Sequence, residues 1–189
     1  MIEMQALARR QSNQTRTQAD RGFSLIELLI VVAIILIIAA IAIPSLLRSK
    51  LAADQASAVA NLRTISTASV SYWVTYSNGY PATLGTLGGS QGSPATCNQA
   101  ILIDEVIAVA PSQKSGYQFA YSGDQGNIIS VPPGCTPGFM GYLATASPIV
   151  FGLTGDISYC TNEPGVIHFD TTGAVAPSAA TCNLLPTIQ

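Results

Sequence analysis

The chain has 189 residues, of which 48% are hydrophobic and only 10% charged, so it can build one ordinary domain and is not a disordered chain. Its net charge of -2 argues against a nucleic-acid-binding protein, and its single histidine argues against a histidine-based metal centre. Four cysteines, an even number, suit two disulfides in an oxidising compartment, which favours an exported protein linked to a membrane.

The first 43 residues combine a basic leader with a long apolar run. Four of the eight basic residues precede residue 23, and the 21 residues of 23–43 are apolar except for Ser24 and Glu27. As a helix this run would span about 31 Å, close to the roughly 30 Å hydrocarbon core of a bilayer. Since basic residues precede the run and few follow it, we expect a single-pass precursor with its N-terminus in the cytoplasm and the rest of the chain outside.

Three interpretations of this segment compete. The first is a plain membrane anchor, and the second is a cleaved secretory signal, because Ala40-Ile41-Ala42 has the small-x-small pattern that such cleavage needs. The run is longer than the apolar part of a secretory signal, about 7–15 residues, which argues against the second. Glu27 argues against the first, because an unpaired carboxylate in an apolar span costs a few kcal/mol or more and marks a functional position.

The third interpretation rests on the segment 21–29, which reads Arg-Gly-Phe-Ser-Leu-Ile-Glu-Leu-Leu. It resembles the processing site of type IV pilins and their pseudopilin relatives, in which a short basic leader ends in glycine and a prepilin peptidase cuts before the apolar run. The resemblance implies a leader over 1–22, cleavage between Gly22 and Phe23, and N-methylation of Phe23. It also implies assembly roles for Phe23, for Glu27 at the fifth mature position, and for the helix residue Pro44.

Glu27 has a specific role in the filament that the resemblance implies. Its carboxylate in an incoming subunit neutralises the Phe23 amine of a subunit already assembled. An amine and a carboxylate a few ångströms apart in low dielectric attract strongly, and each offsets the desolvation of the other. Glu27 would thereby determine at which position an otherwise uniformly apolar helix packs beside its neighbour in the filament. Removal of the leader also removes four positive charges that hold the helix at the cytoplasmic side.

The helical periodicity continues beyond Pro44. We predict one helix over 23–76, with an apolar polymerisation half at 23–43 and a kink at Pro44, because proline lacks a backbone donor and crowds the preceding turn. Asn78-Gly79 and Tyr80-Pro81 are expected to end it. Residues at steps of three, four or seven mark one helical face: Leu47, Leu51, Ala58, Leu62, Ile65, Ser69, Trp73 and Tyr76.

Residues 77–189 are predicted to form a globular head. The segment 83–96, rich in glycine, serine and threonine, predicts a surface loop, and 100–108 suits either a short helix or a strand. A tight turn is expected at 163–165. Short runs of β-forming residues predict four strands: 117–121, 142–146, 157–161 and 166–169. A helix followed by clustered strands predicts an α+β fold, with the long N-terminal helix on an antiparallel sheet.

No catalytic or metal-binding constellation emerges from the head sequence, so we predict a protein that is not an enzyme and has no cofactor. His168 lies in an apolar strand run, where a structural role is favoured over that of a general base. The acids lack the spacing of an EF-hand, and the intervals between the cysteines are unlike those of a zinc knuckle. A calcium site in a C-terminal loop, which some pseudopilins have, is left open.

The resemblance implies a structural subunit of a type IV pilus-like filament that serves adhesion, motility or DNA uptake. The alternative is a pseudopilin of a type II secretion system. The implied partners are further copies of the chain, the prepilin peptidase, an inner-membrane assembly platform and the membrane itself before assembly, with no nucleic acid. A membrane-anchored enzyme would need a constellation that the head lacks, and a tethered binding module would not need Gly22 or Glu27. The chain would lie in the inner membrane and then in a periplasmic or cell-surface filament.

Cys97, Cys135, Cys160 and Cys182 permit three pairings, among which the sequence alone does not choose. We favour Cys160–Cys182 and Cys97–Cys135, since many type IV pilins close a C-terminal loop with a disulfide. The first bond would tie a tail with little apolar surface to the edge of the sheet. The second would pin the loop after the long helix against the insertion around 132–137.

Overall fold

The computed structural model describes residues 22–90, 92–127 and 131–188. The predicted leader therefore lies outside the described residues, apart from Gly22. The chain forms two compact units, Met1–Ile43 and Pro44–Gln189. The boundary between them falls where the apolar run of the sequence ends.

The long helix α1 spans Leu25–Tyr76, 52 residues, and contains Pro44. It begins two residues later than predicted, and the Leu28 N–H donates to the Ser24 carbonyl oxygen at 3.2 Å, which makes Ser24 the residue before the first turn. Ser77 has a φ of 54°, a left-handed conformation that ends the helix one residue before the predicted Asn78-Gly79 stop. The secondary structure runs through Pro44 without a break, and a kink there stays a prediction.

The buried stripe of the second half of α1 shares Ala58, Leu62, Ile65 and Ser69 with the predicted face. The buried residues are Ala58, Leu62, Ile65, Ser66, Ala68, Ser69 and Tyr72. Leu47 is 54% exposed and Trp73 is 37% exposed, so the predicted face extends beyond the buried stripe at these two positions. The steps 58, 62, 65 and 69 continue to 72 under a 3.6-residue repeat, so Tyr72 occupies the position that the sequence analysis assigned to Trp73.

Five strands form one sheet in which each strand pairs antiparallel with the next along the chain. The strands are β1 Gln113–Lys114, β2 Tyr117–Asn127, β3 Phe139–Pro148, β4 Ser158–Asn162 and β5 Ile167–Asp170. Each of the four predicted runs overlaps one of β2 to β5, and the turn at 163–165 joins β4 to β5, where the Gly165 N–H donates to the Asn162 carbonyl oxygen at 2.7 Å. The fold is α+β, as predicted.

Three four-residue helices complete the head: α2 Leu84–Leu87, α3 Glu105–Ala108 and α4 Ala179–Cys182. Thr83 caps α2, and Leu84 and Leu87 are buried, so the prediction of a surface loop over 83–96 was wrong for its first residues. Asp104 caps α3, which resolves the ambiguous segment 100–108 as partly helical. A hydroxyl cap that satisfies free N–H groups stabilises such short helices.

The core lies between α1 and the sheet and is rich in tyrosine. Tyr72, Tyr117 and Tyr142 are all almost fully buried. The Tyr142 hydroxyl donates to Ser66 Oγ at 2.8 Å, and the Tyr72 hydroxyl donates to the Cys97 carbonyl oxygen at 2.5 Å. These bonds satisfy the polar ends of large rings that contribute mainly through burial. They also join α1 to the sheet and to the loop that contains Cys97.

Candidate processing and assembly segment

Gly22, Phe23 and Glu27 lie together at the start of α1, where with Ser24 they line one shallow cavity. Phe23 is 79% exposed. A Cβ atom added at Gly22 would meet no described atom within 4 Å. Packing against the described residues therefore does not require glycine at this position.

Glu27 is the third residue of α1 and its first-turn acid. With Ser24 immediately before the helix, Ser-Leu-Ile-Glu matches the pattern of a capping box. A carboxylate in the first turn also complements the partial positive charge of a helix N-terminus. Glu27 therefore suits the local structure of a single chain while its carboxylate stays accessible to a second group.

The helix residues that follow present a continuous apolar surface. Every residue of 22–47 is exposed except Ala39, which is half-buried. Among the described residues, α1 alone is long and apolar enough to cross a membrane, with a mean hydropathy of 3.3 over its best 18-residue window. An apolar surface of this length needs lipid or other protein to cover it. Pro44 lies at its end, 17 residues after Glu27 and about 26 Å along a helix.

An apolar groove of about 710 Å³ runs along the head-bound half of α1. Ala52, Ala56 and Ala60 form one wall at a spacing of four residues, and Tyr159 and Phe169 of the sheet stand opposite. The remaining lining residues are Gln55, Val59, Arg63, Ile157, Thr187 and Ile188. Small residues on one helix face allow another helix to approach closely. The sequence analysis missed this groove, although the four-residue alanine spacing is visible in the sequence.

The two disulfides lie wholly in the head. Cys97 bonds to Cys135 and Cys160 bonds to Cys182, which are the pairs that the sequence analysis favours. The second bond joins β4 to α4 and so holds the C-terminal tail against the sheet.

His168 and Asp104, two chemically reactive groups of the head, have structural partners. His168 is buried, and its Nδ1 lies 2.7 Å from the Leu185 carbonyl oxygen. Lys114 Nζ lies 2.7 Å from Asp104 Oδ2 and, with the Val106 N–H, lowers the pKa of that exposed carboxyl. Burial raises the pKa of Tyr142 to about 12 and also raises the pKa of Tyr117. Among the described residues, no group of three or more histidine, cysteine or acidic side chains is placed to hold a metal ion.

One comparison with known protein families matches the segment that carries these features. The family model of the prokaryotic N-terminal methylation motif matches residues 17–43. The type IV major pilin protein PilA of Myxococcus xanthus (strain DK1622) is 50% identical over 54 residues, which are 29% of this chain and 24% of that protein. The match therefore spans about a quarter of the length of this curated relative. No solved structure matches the chain. By its N-terminal methylation motif and by this partial match, the chain is similar to type IV pilins.

Proposed function

We propose that the chain is a structural subunit of a type IV pilus-like filament, cut by a prepilin peptidase and polymerised through the apolar half of α1. The observation that carries the proposal is the methylation motif over 17–43, joined directly to an apolar helix surface that the described part of the chain leaves uncovered. Two disulfides in the head suit a subunit that works outside the cytoplasm.

The proposed cleavage lies between Gly22 and Phe23. No described atom packs closely enough against position 22 to require glycine there. The requirement for glycine is therefore assigned to the peptidase, whose active site must approach the backbone closely. Cleavage leaves a mature chain of 167 residues, the 189 of the sequence less a leader of 22. The new Phe23 amine, which is then methylated, lies at the same end of α1 as Glu27.

The proposed polymerisation pairs charges between copies. In the apolar interior of a filament, the Phe23 amine of one subunit needs a counter-charge, and Glu27 is the one acid within 23–43. A buried charge left without its partner costs roughly 3–5 kcal/mol in typical proteins. An incoming helix therefore stops where its Glu27 meets a Phe23 amine, which gives the filament a defined register.

We assign the groove beside α1 to the same assembly, with the apolar segment of a second copy as its occupant. The groove is apolar for most of its lining, with small residues on its helix wall, and the segment 28–43 is a helix with no polar side chain. Burying one against the other removes apolar surface from water on both sides. The lipid that covers the segment before assembly would be exchanged for protein.

Before assembly the precursor would lie in the inner membrane, with the four basic residues of the leader on the cytoplasmic side. Extraction by an inner-membrane platform would then deliver it to a periplasmic or cell-surface filament.

Two measurements on native material test this function. Filaments sheared from the cell surface should contain the chain, and its intact mass and N-terminal sequence should show a start at methylated Phe23. Changing Gly22 to Trp should leave uncut precursor in the inner membrane, whereas changing Ala42 to Val should leave cleavage unaffected. A mature chain that starts at Ile43, after the small-x-small pattern, would overturn the proposal. Subunits found only in the periplasm, with secretion of folded proteins lost on deletion, would favour the secretion pseudopilin.

A further inference from the structure

The turn after α1 contains the dipeptide Asn78-Gly79, and the fold requires both of its residues. Gly79 has a φ of 86°, a left-handed conformation that strains any residue with a Cβ atom. Asn78 is fully buried, and its Nδ2 donates to the Tyr72 hydroxyl at 2.9 Å and to the Thr136 carbonyl oxygen at 3.2 Å. A side-chain amide supplies the two N–H donors that these two oxygens accept. The head therefore contains a dipeptide whose chemistry makes it prone to lose that amide.

Deamidation of an Asn-Gly dipeptide needs no enzyme and no cofactor. The glycine nitrogen attacks the side-chain carbonyl carbon of the asparagine, the amide nitrogen leaves as ammonia with the proton of the glycine nitrogen, and a cyclic imide forms. Water then opens the imide to aspartate or isoaspartate. Glycine favours the first step because it has no side chain to hinder the approach of its nitrogen. The rate in a folded protein therefore depends on how often the asparagine amide is released from its hydrogen bonds.

The Cys97–Cys135 disulfide holds both acceptors of the Asn78 amide in place. Thr136 is the residue after Cys135, and the Tyr72 hydroxyl donates to the Cys97 carbonyl oxygen. Segments of a folded protein open locally, at a lower free energy than global unfolding. Because the disulfide joins the two loops that make these contacts, it restricts the local opening that would release the amide.

The reaction products do not fit the closed arrangement. Asn78 Oδ1 has no hydrogen-bond partner among the described residues, so a carboxylate at this position would bring a charge without a new donor. Its second oxygen would replace Nδ2 opposite the Thr136 carbonyl oxygen, where both atoms would be acceptors. Isoaspartate would lengthen the backbone beside Gly138, whose own backbone lies so close to the Asn78 carbonyl oxygen that a Cβ atom does not fit. Modification would thus loosen this end of the head permanently.

We propose that Asn78-Gly79 is a deamidation site whose rate is controlled by opening of the two loops that the Cys97–Cys135 disulfide joins. In the closed head the amide is buried and bonded, and it is retained. In a head that opens there, the amide is released, the imide forms, and the resulting acid prevents closure. All of these contacts lie within the head, so the site does not depend on the proposed function.

Peptide mapping of aged full-length protein tests the proposal. Three chains are incubated in detergent micelles at mildly alkaline pH: the unmodified chain, the chain with Cys97→Ala and Cys135→Ala, and a matched control with Cys160→Ala and Cys182→Ala. Digestion with pepsin in acid avoids deamidation during the workup, and mass spectrometry measures aspartate and isoaspartate at position 78. We expect conversion at least tenfold faster without the Cys97–Cys135 bond and changed less than twofold without the other bond.

Equal rates at position 78 in the unmodified chain and in the chain without the Cys97–Cys135 bond would overturn the proposal. Equal acceleration by loss of either disulfide would also overturn it, because the whole head would then have to open. Tyr72→Phe removes one acceptor of the amide and keeps both disulfides, so it tests the same site in a chain with every cross-link intact. We expect at least threefold faster conversion in this variant, and an unchanged rate would contradict control by these contacts.

The effect of the product is tested by Asn78→Asp. Its matched control is Asn98→Asp, since Asn98 is exposed and contacts Thr136 from the other side through Oδ1, an acceptor that aspartate keeps. Circular dichroism of the full-length chains should show a drop in Tm for Asn78→Asp at least twice that for Asn98→Asp. Equal shifts would show that the closed head accepts the acid, which would overturn the permanent loosening.

Discussion

Glu27 has two compatible uses that operate at different stages. In the single chain it follows Ser24 by three residues at the start of α1, where a carboxylate complements the helix N-terminus. In the proposed filament the same carboxylate pairs with an amine. A glutamine would keep the first use and lose the second, because glutamine also fits the capping box. This difference allows the two uses to be separated by one substitution.

We expect Glu27→Gln to leave membrane insertion and cleavage after Gly22 at normal levels and to reduce filament yield at least tenfold. The reason is that the Phe23 amine would enter the filament unpaired, at a cost of roughly 3–5 kcal/mol. Immunoblots of sheared filaments and of the membrane fraction measure the two quantities. Glu105→Gln is the matched control, since Glu105 is the first-turn acid of α3 in the head. Normal piliation with Glu27→Gln would show that the carboxylate does not set the register.

The buried tyrosines predict how the head responds to alkali. Burial is the main cause that raises the pKa of Tyr142 to about 12, and it outweighs the opposing hydrogen bond to Ser66. Because the unfolded chain releases this proton near pH 10, it loses protons before the folded chain does. Stability is therefore full below about pH 10 and falls as the pH rises toward 12.

Tyrosinate absorbance at 295 nm, recorded together with circular dichroism, checks this expectation. The folded chain should ionise fewer than its seven tyrosines below pH 11, with the rest appearing only as the dichroism is lost. Tyr142→Phe should remove one late-ionising group. Ionisation of all seven near pH 10 with unchanged dichroism would contradict the assignment.

At the scale of secondary-structure elements, sequence patterns predicted those elements that have a repeated signal. The 52 residues of α1 and the strands β2 to β5 carry periodicity or clusters of β-forming residues. α2 was missed because two buried leucines lie among glycine, serine and threonine, and its cap on Thr83 is a tertiary detail. β1 is only two residues long and exists through its pairing with β2.

The candidate site also has a part that a local sequence pattern predicts and a part that it does not. Gly22, Phe23 and Glu27 belong to one short motif, so a local reading of the sequence finds them. The groove brings residues of α1 to residues about one hundred positions later in β4 and β5 and near the C-terminus. That juxtaposition depends on the antiparallel order of the sheet and on the tail's return to it, neither of which any local pattern reveals.

The groove gives a prediction at the scale of one helix face. We expect Ala56→Glu to leave the head folded, because Ala56 is exposed on α1, and to reduce filament assembly by placing a charge where an apolar segment should pack. Ala53→Glu is the matched control, since Ala53 is equally exposed on α1 and does not line the groove. Filament yield and circular dichroism are measured for both variants. Equal yields for the two would remove the groove from the assembly interface.

For the whole molecule, the C-terminal tail is held by several bonds besides its disulfide. The Phe169 N–H donates to the Pro186 carbonyl oxygen at 2.9 Å, and the Ile188 N–H donates to the Ile167 carbonyl oxygen at 3.0 Å. Asn162 Nδ2 donates to Asn183 Oδ1 at 2.9 Å. The tail thus extends the edge of the sheet beyond β5, and the Cys160–Cys182 bond closes the loop that leads to it.

Replacing both Cys160 and Cys182 with alanine should lower the free energy of unfolding by about 3 kcal/mol, on the chain-entropy account of a loop of this length. The residues after 170 should become sensitive to protease, while cleavage after Gly22 should be unchanged. Urea denaturation and limited proteolysis followed by mass spectrometry measure these effects. The Cys97→Ala, Cys135→Ala chain is the control, in which the tail should stay protected. A tail that resists protease without its disulfide would show that the backbone bonds suffice.

The cross-links between α1 and the rest of the head also determine how a subunit bears mechanical load. Ser57 meets Ser115, Ser66 meets Tyr142, and Tyr72 meets the Cys97 carbonyl group, at three levels along the helix. A pull along the axis of α1 therefore acts on these links in shear, so that they share the force and do not open one after another. The two disulfides keep 97–135 and 160–182 from lengthening under such a pull. Under tension, residues 57–72 of α1 and the sheet would thus stay together until all three links slip at once.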